Sequence, residues 1–237
     1  MLLLVSVYFF TQIVPLIFLP FIYLINILSD KKIADFDTIF YIFRYFMNFS
    51  FECVTNNEII EKGFILCNHK TWADFGIDQY YSKSCIVGRR LAFFACPSSI
   101  FSYLDNRSII IDRRNNSHII FKKIISHYPR YSDRSLIYPE GTRQNYKNLL
   151  NKDDLKKYLK YGLLKRIYEY KSLPVQCFIT SNKDLVFNEK TRKCSRNICL
   201  KNAVSEPIFP CNYNCFEDFI NEICSEWFNC YELTHKI

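Results

Sequence analysis

Phe64-Ile65-Leu66-Cys67-Asn68-His69-Lys70-Thr71-Trp72-Ala73-Asp74 is the stretch on which the reading of this chain turns. The first four residues are an apolar, β-prone run, and a polar turn carrying an imidazole follows. His69 and Asp74 are five residues apart, about 500° of helical rotation, so on one helix they would sit roughly 140° from each other. They can meet only if His69 lies in the turn and Asp74 falls in the first turn of the helix behind it. Strand, sharp turn with histidine, helix with carboxylate is a layout for a general base and its orienting acid. A surface turn with an incidental His and Asp is the ordinary alternative, and this segment alone does not decide between them.

A second segment bears on that choice. Tyr138-Pro139-Glu140-Gly141-Thr142-Arg143 closes the β-like run Ser135-Leu136-Ile137. Pro139 stops the strand, Gly141 opens a backbone conformation that other residues avoid, and Glu140, Thr142 and Arg143 are offered at the turn. A polar loop capping a strand needs fewer of these features.

Between and beyond these segments, short β-rich runs alternate with helical stretches. Strands are expected at Gly63–Cys67, Cys85–Gly88, Ser108–Asp112, Ser135–Tyr138, Pro174–Thr180 and Asn197–Asn202. Helices are expected at Asp74–Tyr81, Asn116–Tyr128, Asp153–Tyr170 and Phe216–Phe228. The expected fold is therefore α/β, a central mostly parallel or mixed sheet flanked by helices, with an N-terminal hydrophobic, membrane-anchoring helical segment. Active residues at the ends of successive strands would be natural there. With only 5 glycines and no Gly-rich loop, Rossmann and Walker-type nucleotide sites are excluded.

The N-terminus reads as a membrane segment. Met1 to Ser29 holds no charge, and Asp30, Lys31 and Lys32 follow. A straight helix of that length would reach about 43 Å against roughly 30 Å of bilayer hydrocarbon. A cleaved signal peptide fits poorly, because there is no basic leader and no small-x-small site. Pro15 and Pro20 would kink a spanning helix or turn a re-entrant one. Ile39 to Phe51 is strongly aromatic with the single charge Arg44, which suggests an interfacial helix. The expected division is residues 1–52 as anchor and interfacial helix and residues 53–237 as the catalytic domain. Lys31 and Lys32 favour a cytosolic position for that domain, in the endoplasmic reticulum if the cell is eukaryotic. On that face, the Asn-x-Ser sequons at Asn48, Asn106 and Asn115 carry no meaning.

The formal net charge of +8 suits phosphates, coenzyme A or an acidic leaflet. Nucleic acid is set aside, since the basic residues are scattered and form no recognition pattern. The 11 cysteines include no Cys-x-x-Cys pair, and the nearest two, Cys211 and Cys215, lack histidine neighbours. No metal site and no cofactor is expected, and the thiols read as reduced and mostly buried. His118, His127 and His235 have no acidic partner at a telling spacing and are expected at the surface.

Taken together, the two segments resemble the glycerolipid acyltransferase family, typified by 1-acyl-sn-glycerol-3-phosphate acyltransferase. Asn68 and His69 to Asp74 match its His-x4-Asp motif, with a hydroxyl at Thr71, and Tyr138 to Arg143 match its Phe-Pro-Glu-Gly-Thr-Arg motif with Tyr for Phe. Ile109-Ile110-Ile111-Asp112-Arg113 is similar to its second motif and Leu173-Pro174-Val175 to its fourth, so the resemblance runs from about Gly63 to Thr180 in order. Arg107 stands near the place of the second motif's glycine, Cys177 near the fourth motif's second proline, and Lys70 where many relatives carry Gln. These departures bear on the acceptor more than on the reaction.

The resemblance implies an O-acyltransferase that moves a fatty acyl group from acyl-CoA to the free hydroxyl of a lysophospholipid at a membrane. The leading acceptor is 1-acyl-sn-glycerol-3-phosphate, giving phosphatidic acid. A free imidazole titrates near pH 6.5, so histidine can be neutral and accept a proton at working pH. His69 is the expected base and Asp74 its orienting carboxylate, with Arg113 and Arg143 holding phosphate through bidentate guanidinium bonds. Glu140, Gly141 and Thr142 complete the expected substrate-binding turn, Glu140 and Thr142 orienting the acceptor or Arg143. Arg89, Arg90 and Arg114 are auxiliary phosphate candidates, with surface solvation as the alternative. Another lysophospholipid, a phospholipid or acyl-carrier-protein donor, an acyl-CoA thioesterase and an inactive membrane scaffold stay open as rivals.

Overall fold

The computed structural model describes residues 35–89, 99–112, 114–127, 133–144, 151–191 and 193–235, together with Ser6, Ile13, Val14, Ile17, Phe18, Phe21, Leu24 and Leu28. Seven strands form one sheet: β1 (Phe49–Cys53), β2 (Gly63–Cys67), β3 (Cys85–Arg89), β4 (Ser108–Ile111), β5 (Arg134–Ile137), β6 (Val175–Thr180) and β7 (Ile198–Val204). Their spatial order is β1-β7-β6-β2-β5-β3-β4, and every pairing is parallel except β6 with β7. The described helices are α1 (Phe36–Met47), α2 (Asp74–Ser82), α3 (Ser99–Leu104), α4 (Ser117–His127), α5 (Lys152–Lys156), α6 (Tyr161–Tyr170), α7 (Lys183–Val186) and α8 (Phe216–His235).

The period of two in β2 explains why helices cover both faces. Phe64 and Leu66 point into one layer with α4, α6 and α8; Ile65 and Cys67 point to the opposite side, toward Phe75 and Tyr81 of α2. All four side chains are fully buried, as expected of a central strand in a parallel sheet. On the first side α8 contributes a stripe of Phe219, Ile220, Ile223, Cys224, Trp227 and Cys230. On the second, α1 buries Phe36, Ile39, Phe40, Phe43 and Met47. Gly76 of α2 lets α1 approach closely, since a Cβ there would lie 2.6 Å from the Phe40 ring. Arg107 is also structural: its guanidinium, 7% exposed, pairs with Asp37 of α1 at 2.8 Å.

Three expectations need correction. The aromatic stretch Ile39–Phe51 is not one helix. Asn48 takes a left-handed conformation (φ 48°) that ends α1, and the chain then enters β1 beside β7. A division after residue 52 therefore falls inside a strand of the central sheet. The helix expected over Asp153–Tyr170 is broken, because the Lys160 N–H donates to Pro139 O at 2.8 Å instead of continuing its own ladder. The helix expected to stop at Phe228 runs to His235, with Cys230 and Thr234 keeping its buried period. The apolar stretch Met1–Ser29 lies, apart from scattered positions, outside the described residues. Among the described residues no helix is long and apolar enough to cross a membrane.

Candidate active site

β6, β2 and β5 lie side by side and parallel, with Cys67 opposite Phe178 and Leu66 opposite Ile137. Their carboxyl ends therefore deliver three loops to one edge: Asn68 to Ala73, Tyr138 to Gln144, and Ser181 to Lys183. Asn68 fixes the first loop to the third. Its amide donates to Thr180 O (2.9 Å) and accepts from Thr180 N (3.0 Å), extending the β2–β6 ladder by a side chain. Asn68 is fully buried, so both bonds are made away from competing water.

The turn leaves His69 ahead of α2 and makes Asp74 the first residue of that helix. The imidazole Nδ1 lies 2.9 Å from Asp74 Oδ2. The same oxygen accepts the Thr71 N–H at 3.0 Å and the Lys70 N–H, so the carboxylate organises the turn as well as the ring. Asp74 is fully buried and the His69 side chain is 12% exposed. Burial pushes the Asp74 carboxyl up, but Lys183, the His69 bond and the Thr71 N–H outweigh it and hold it below its usual range. With Asp74 on Nδ1, the tautomer presents Nε2 as the basic nitrogen. The ring is stacked on Tyr138 (centroids 4.5 Å apart) and meets Phe75 edge-on at 5.5 Å.

The second motif holds the first in place. Glu140 is fully buried and its Oε2 accepts the His69 N–H at 2.8 Å, while Gln144 N–H donates to His69 O at 2.8 Å. Burial drives the Glu140 carboxyl well above its usual range, against the opposing pull of the His69 N–H and Lys183. Tyr138 O accepts the Gly141 N–H at 3.0 Å, closing a turn with Pro139 in its second position, and Gly141 takes φ +68°. Thr142 is exposed and accepts a bond from Gln144, and Arg89 reaches Gly141 O at 3.2 Å. The Arg143 guanidinium sits over the Trp72 ring, 5.5 Å from its centre, and is paired with Glu189. Glu189 also lies 3.1 Å from the Thr71 hydroxyl. Arg113 and Arg90 lie outside the described residues; Arg114 is a surface residue paired with Asp112.

Three residues of this site, Asp78, Lys183 and Glu189, were not singled out in the sequence, and His235 was read only as a surface residue. Asp78 is one helical turn from Asp74, so its position on the same face was readable from spacing. Lys183, Glu189 and His235 carry no local signal. Lys183 is fully buried, donates to Asn68 O and reaches Asp78 Oδ2 at 2.7 Å and Asp74 Oδ2 at 3.9 Å. The Tyr138 hydroxyl donates to the same Asp78 oxygen at 3.0 Å. His235, expected at the surface, instead accepts from Lys70 Nζ at 2.9 Å. Burial, then the Lys70 charge, pushes its pKa down to about 3, so it stays neutral and can accept.

Asp78 gives the site a pH signature. Burial and the nearby Asp74 carboxylate outweigh Lys183 and raise its pKa to about 7. Between the usual carboxylate range and about pH 7 the folded chain keeps a proton that the unfolded chain has lost. That contribution to stability is present at low pH and disappears as pH rises through the window. Urea midpoints measured from pH 5 to 8 should therefore fall with pH in the wild type, and fall less in Asp78→Asn. Equal slopes in the two proteins would contradict the assignment.

The fold is shared with a crystal structure, that of the 1-acyl-sn-glycerophosphate (LPA) acyltransferase PlsC from Thermotoga maritima. The match covers 99% of this chain and 97% of that chain, with a TM-score of 0.66 and 14% sequence identity. The chain shares the fold of that protein. No family model and no curated protein matches the sequence. At that identity the likeness carries the architecture, and the chemistry rests on the residues described above.

Proposed function

We propose that the protein is a membrane-associated glycerolipid O-acyltransferase that passes a fatty acyl group from acyl-CoA to the free hydroxyl of a lysophospholipid. The leading acceptor is 1-acyl-sn-glycerol-3-phosphate. The observation that carries the reading is the 2.9 Å contact between His69 and the buried Asp74, in a turn clamped by Glu140. His69 Nε2 takes the hydroxyl proton as the oxygen attacks the thioester carbonyl. The tetrahedral intermediate then collapses, the C–S bond breaks, and the imidazolium returns its proton to the departing thiolate. Products are the new ester and free coenzyme A. Asp74 holds the ring and stabilises the imidazolium.

Membrane attachment is supported by surface character. Tyr41, Ile42, Tyr45 and Phe46 of α1 face away from the core and are exposed, as are Ile17, Phe21 and Leu28 at the described positions of the apolar N-terminal stretch. The positive charge suits an anionic leaflet, which favours the cytosolic side. The deciding experiment gives the purified full chain oleoyl-CoA and a panel of lysolipids and identifies products by mass spectrometry. Phosphatidic acid with equimolar thiol release is expected. Fatty acid release without acceptor would replace the reading with a thioesterase, and no product at all would favour a scaffold.

Arg143 supplies a headgroup test. A charge-assisted bond is worth about 1.5–3 kcal/mol, so Arg143→Ala should raise KM for a phosphate-bearing acceptor roughly 10- to 150-fold. Monoacylglycerol, which lacks the phosphate, should be little affected. Glu189→Gln removes the carboxylate that now occupies this guanidinium and should move KM the other way. Equal changes for both acceptors would remove Arg143 from phosphate binding.

A further inference from the structure

Behind the dyad, three side chains with no place in the two sequence motifs' chemistry converge on one point. Asp78 Oδ2 accepts from Lys183 Nζ at 2.7 Å and from the Tyr138 hydroxyl at 3.0 Å, and Lys183 also donates to Asn68 O, one residue before His69. Tyr138 is the residue that replaces the related motif's Phe, and its hydroxyl is used here and nowhere else in the described contacts. The Lys183 and Asp78 side chains are both fully buried. An apolar pair of similar volume would fill that space without removing two charges from water, and such exchanges are often neutral or stabilising. Stability alone therefore does not account for the pair.

We propose that Lys183 is a positioning residue for the His69–Asp74 dyad: its buried ammonium offsets Asp78 and leaves Asp74 as the carboxylate that faces the imidazole. The inference rests on the transferase reading for its catalytic meaning, but its geometry does not. Asp74 and Asp78 are four residues apart on α2, and removing the ammonium would take a positive charge from 3.9 Å beside Asp74 Oδ2, leaving that carboxylate to hold a proton on His69 and spoil it as a base. With Lys183 bridging the two carboxylates, Asp74 retains its bonds to the ring and to the loop amides, although its Oδ1 has no hydrogen-bond partner among the described residues. The groups around the dyad come from every packed element. These are Cys67 of β2, Lys70 of the turn, Asp74 and Asp78 of α2, Tyr138 and Glu140 after β5, Lys183 and Asp184 of α7, and His235 of α8 against Lys70. Burial drives the Glu140 carboxyl up, and Lys183 is the cation set against both α2 carboxylates, at 2.7 Å from Asp78 and 3.9 Å from Asp74.

The test measures two quantities on the full chain in detergent: the imidazole titration of His69 by NMR, and the pH profile of kcat/KM with oleoyl-CoA and 1-acyl-sn-glycerol-3-phosphate. Lys183→Met should move the His69 titration and the acid limb to higher pH by roughly one unit or more, the size an adjacent buried charge produces. Asp78→Asn, which leaves the ammonium in place and removes a carboxylate ionised only above about pH 7, should move neither upward. Lys183→Met/Asp78→Asn removes both charges, so it should fold even if Lys183→Met alone does not. Its limb should lie above that of Asp78→Asn. Displacements in the same direction, or a limb unmoved in all variants, would overturn the proposal and leave Lys183 a packing residue. The NMR titration needs no turnover, so an inactive wild type would sink the transferase reading while this test still gives its answer.

Discussion

His69→Ala should lose acyl transfer by a factor of at least about 10²–10⁴, the contribution of a positioned base, with only the positioning effect of the site remaining. The fold should survive. The loop is held through the main chain of residue 69, whose N–H donates to Glu140 and whose carbonyl accepts from Gln144, and alanine keeps both bonds. What alanine removes is the Asp74 contact and the stack on Tyr138, the latter worth about 0.5–1.5 kcal/mol. Product formation by mass spectrometry and thermal unfolding, run on the same preparation, separate the two quantities. Near-normal turnover in a folded His69→Ala protein would end the general-base assignment.

The largest structural effect should come from Gly63→Ala, at the entrance of β2. Gly63 adopts φ +138°, and a Cβ there would lie 2.4 Å from the Pro174 carbonyl oxygen and 2.9 Å from Ile60 Cδ1. The near atom is backbone and cannot rotate away. Its carbonyl is also engaged, since it accepts the Phe64 N–H at 2.9 Å in the β2–β6 register. The backbone conformation alone costs about 1–3 kcal/mol for a residue with a side chain, and relieving the overlap means parting two central strands. Against a typical total of about 5–15 kcal/mol the variant should be poorly folded at 37 °C. Urea unfolding reports this directly; a midpoint equal to wild type would show that β2 and β6 can shift at no cost.

What could be read along the chain was what local spacing controls. The run Phe64 to Cys67 is a strand because its apolar residues are continuous, and Asp74 begins a helix because it follows a turn of polar and small residues. Once those two are placed, the five-residue separation brings His69 to Asp74. The strands after residue 60 were legible for the same reason, at the level of one or two residues. The helix over Asp153–Tyr170 was misread because its break is set by a distant carbonyl, Pro139, that takes the Lys160 N–H. β1 was missed because an aromatic run suits a helix and a strand equally, and only pairing with β7 distinguishes them.

The sequence by itself determined the dyad, the order of the elements around it and the α/β class, because each depends on contacts within a few residues. Tertiary structure decided the surroundings of the dyad. Lys183 reaches Asn68 across 115 positions and His235 reaches Lys70 across 165. Neither separation leaves a periodic trace, because loops at the carboxyl edge of a parallel sheet are brought together by strand order rather than by sequence distance. The same edge placed Glu189 on Arg143 and Tyr138 on Asp78. A charge in that buried setting is governed by the neighbours that folding supplies, and no spacing along the chain names them.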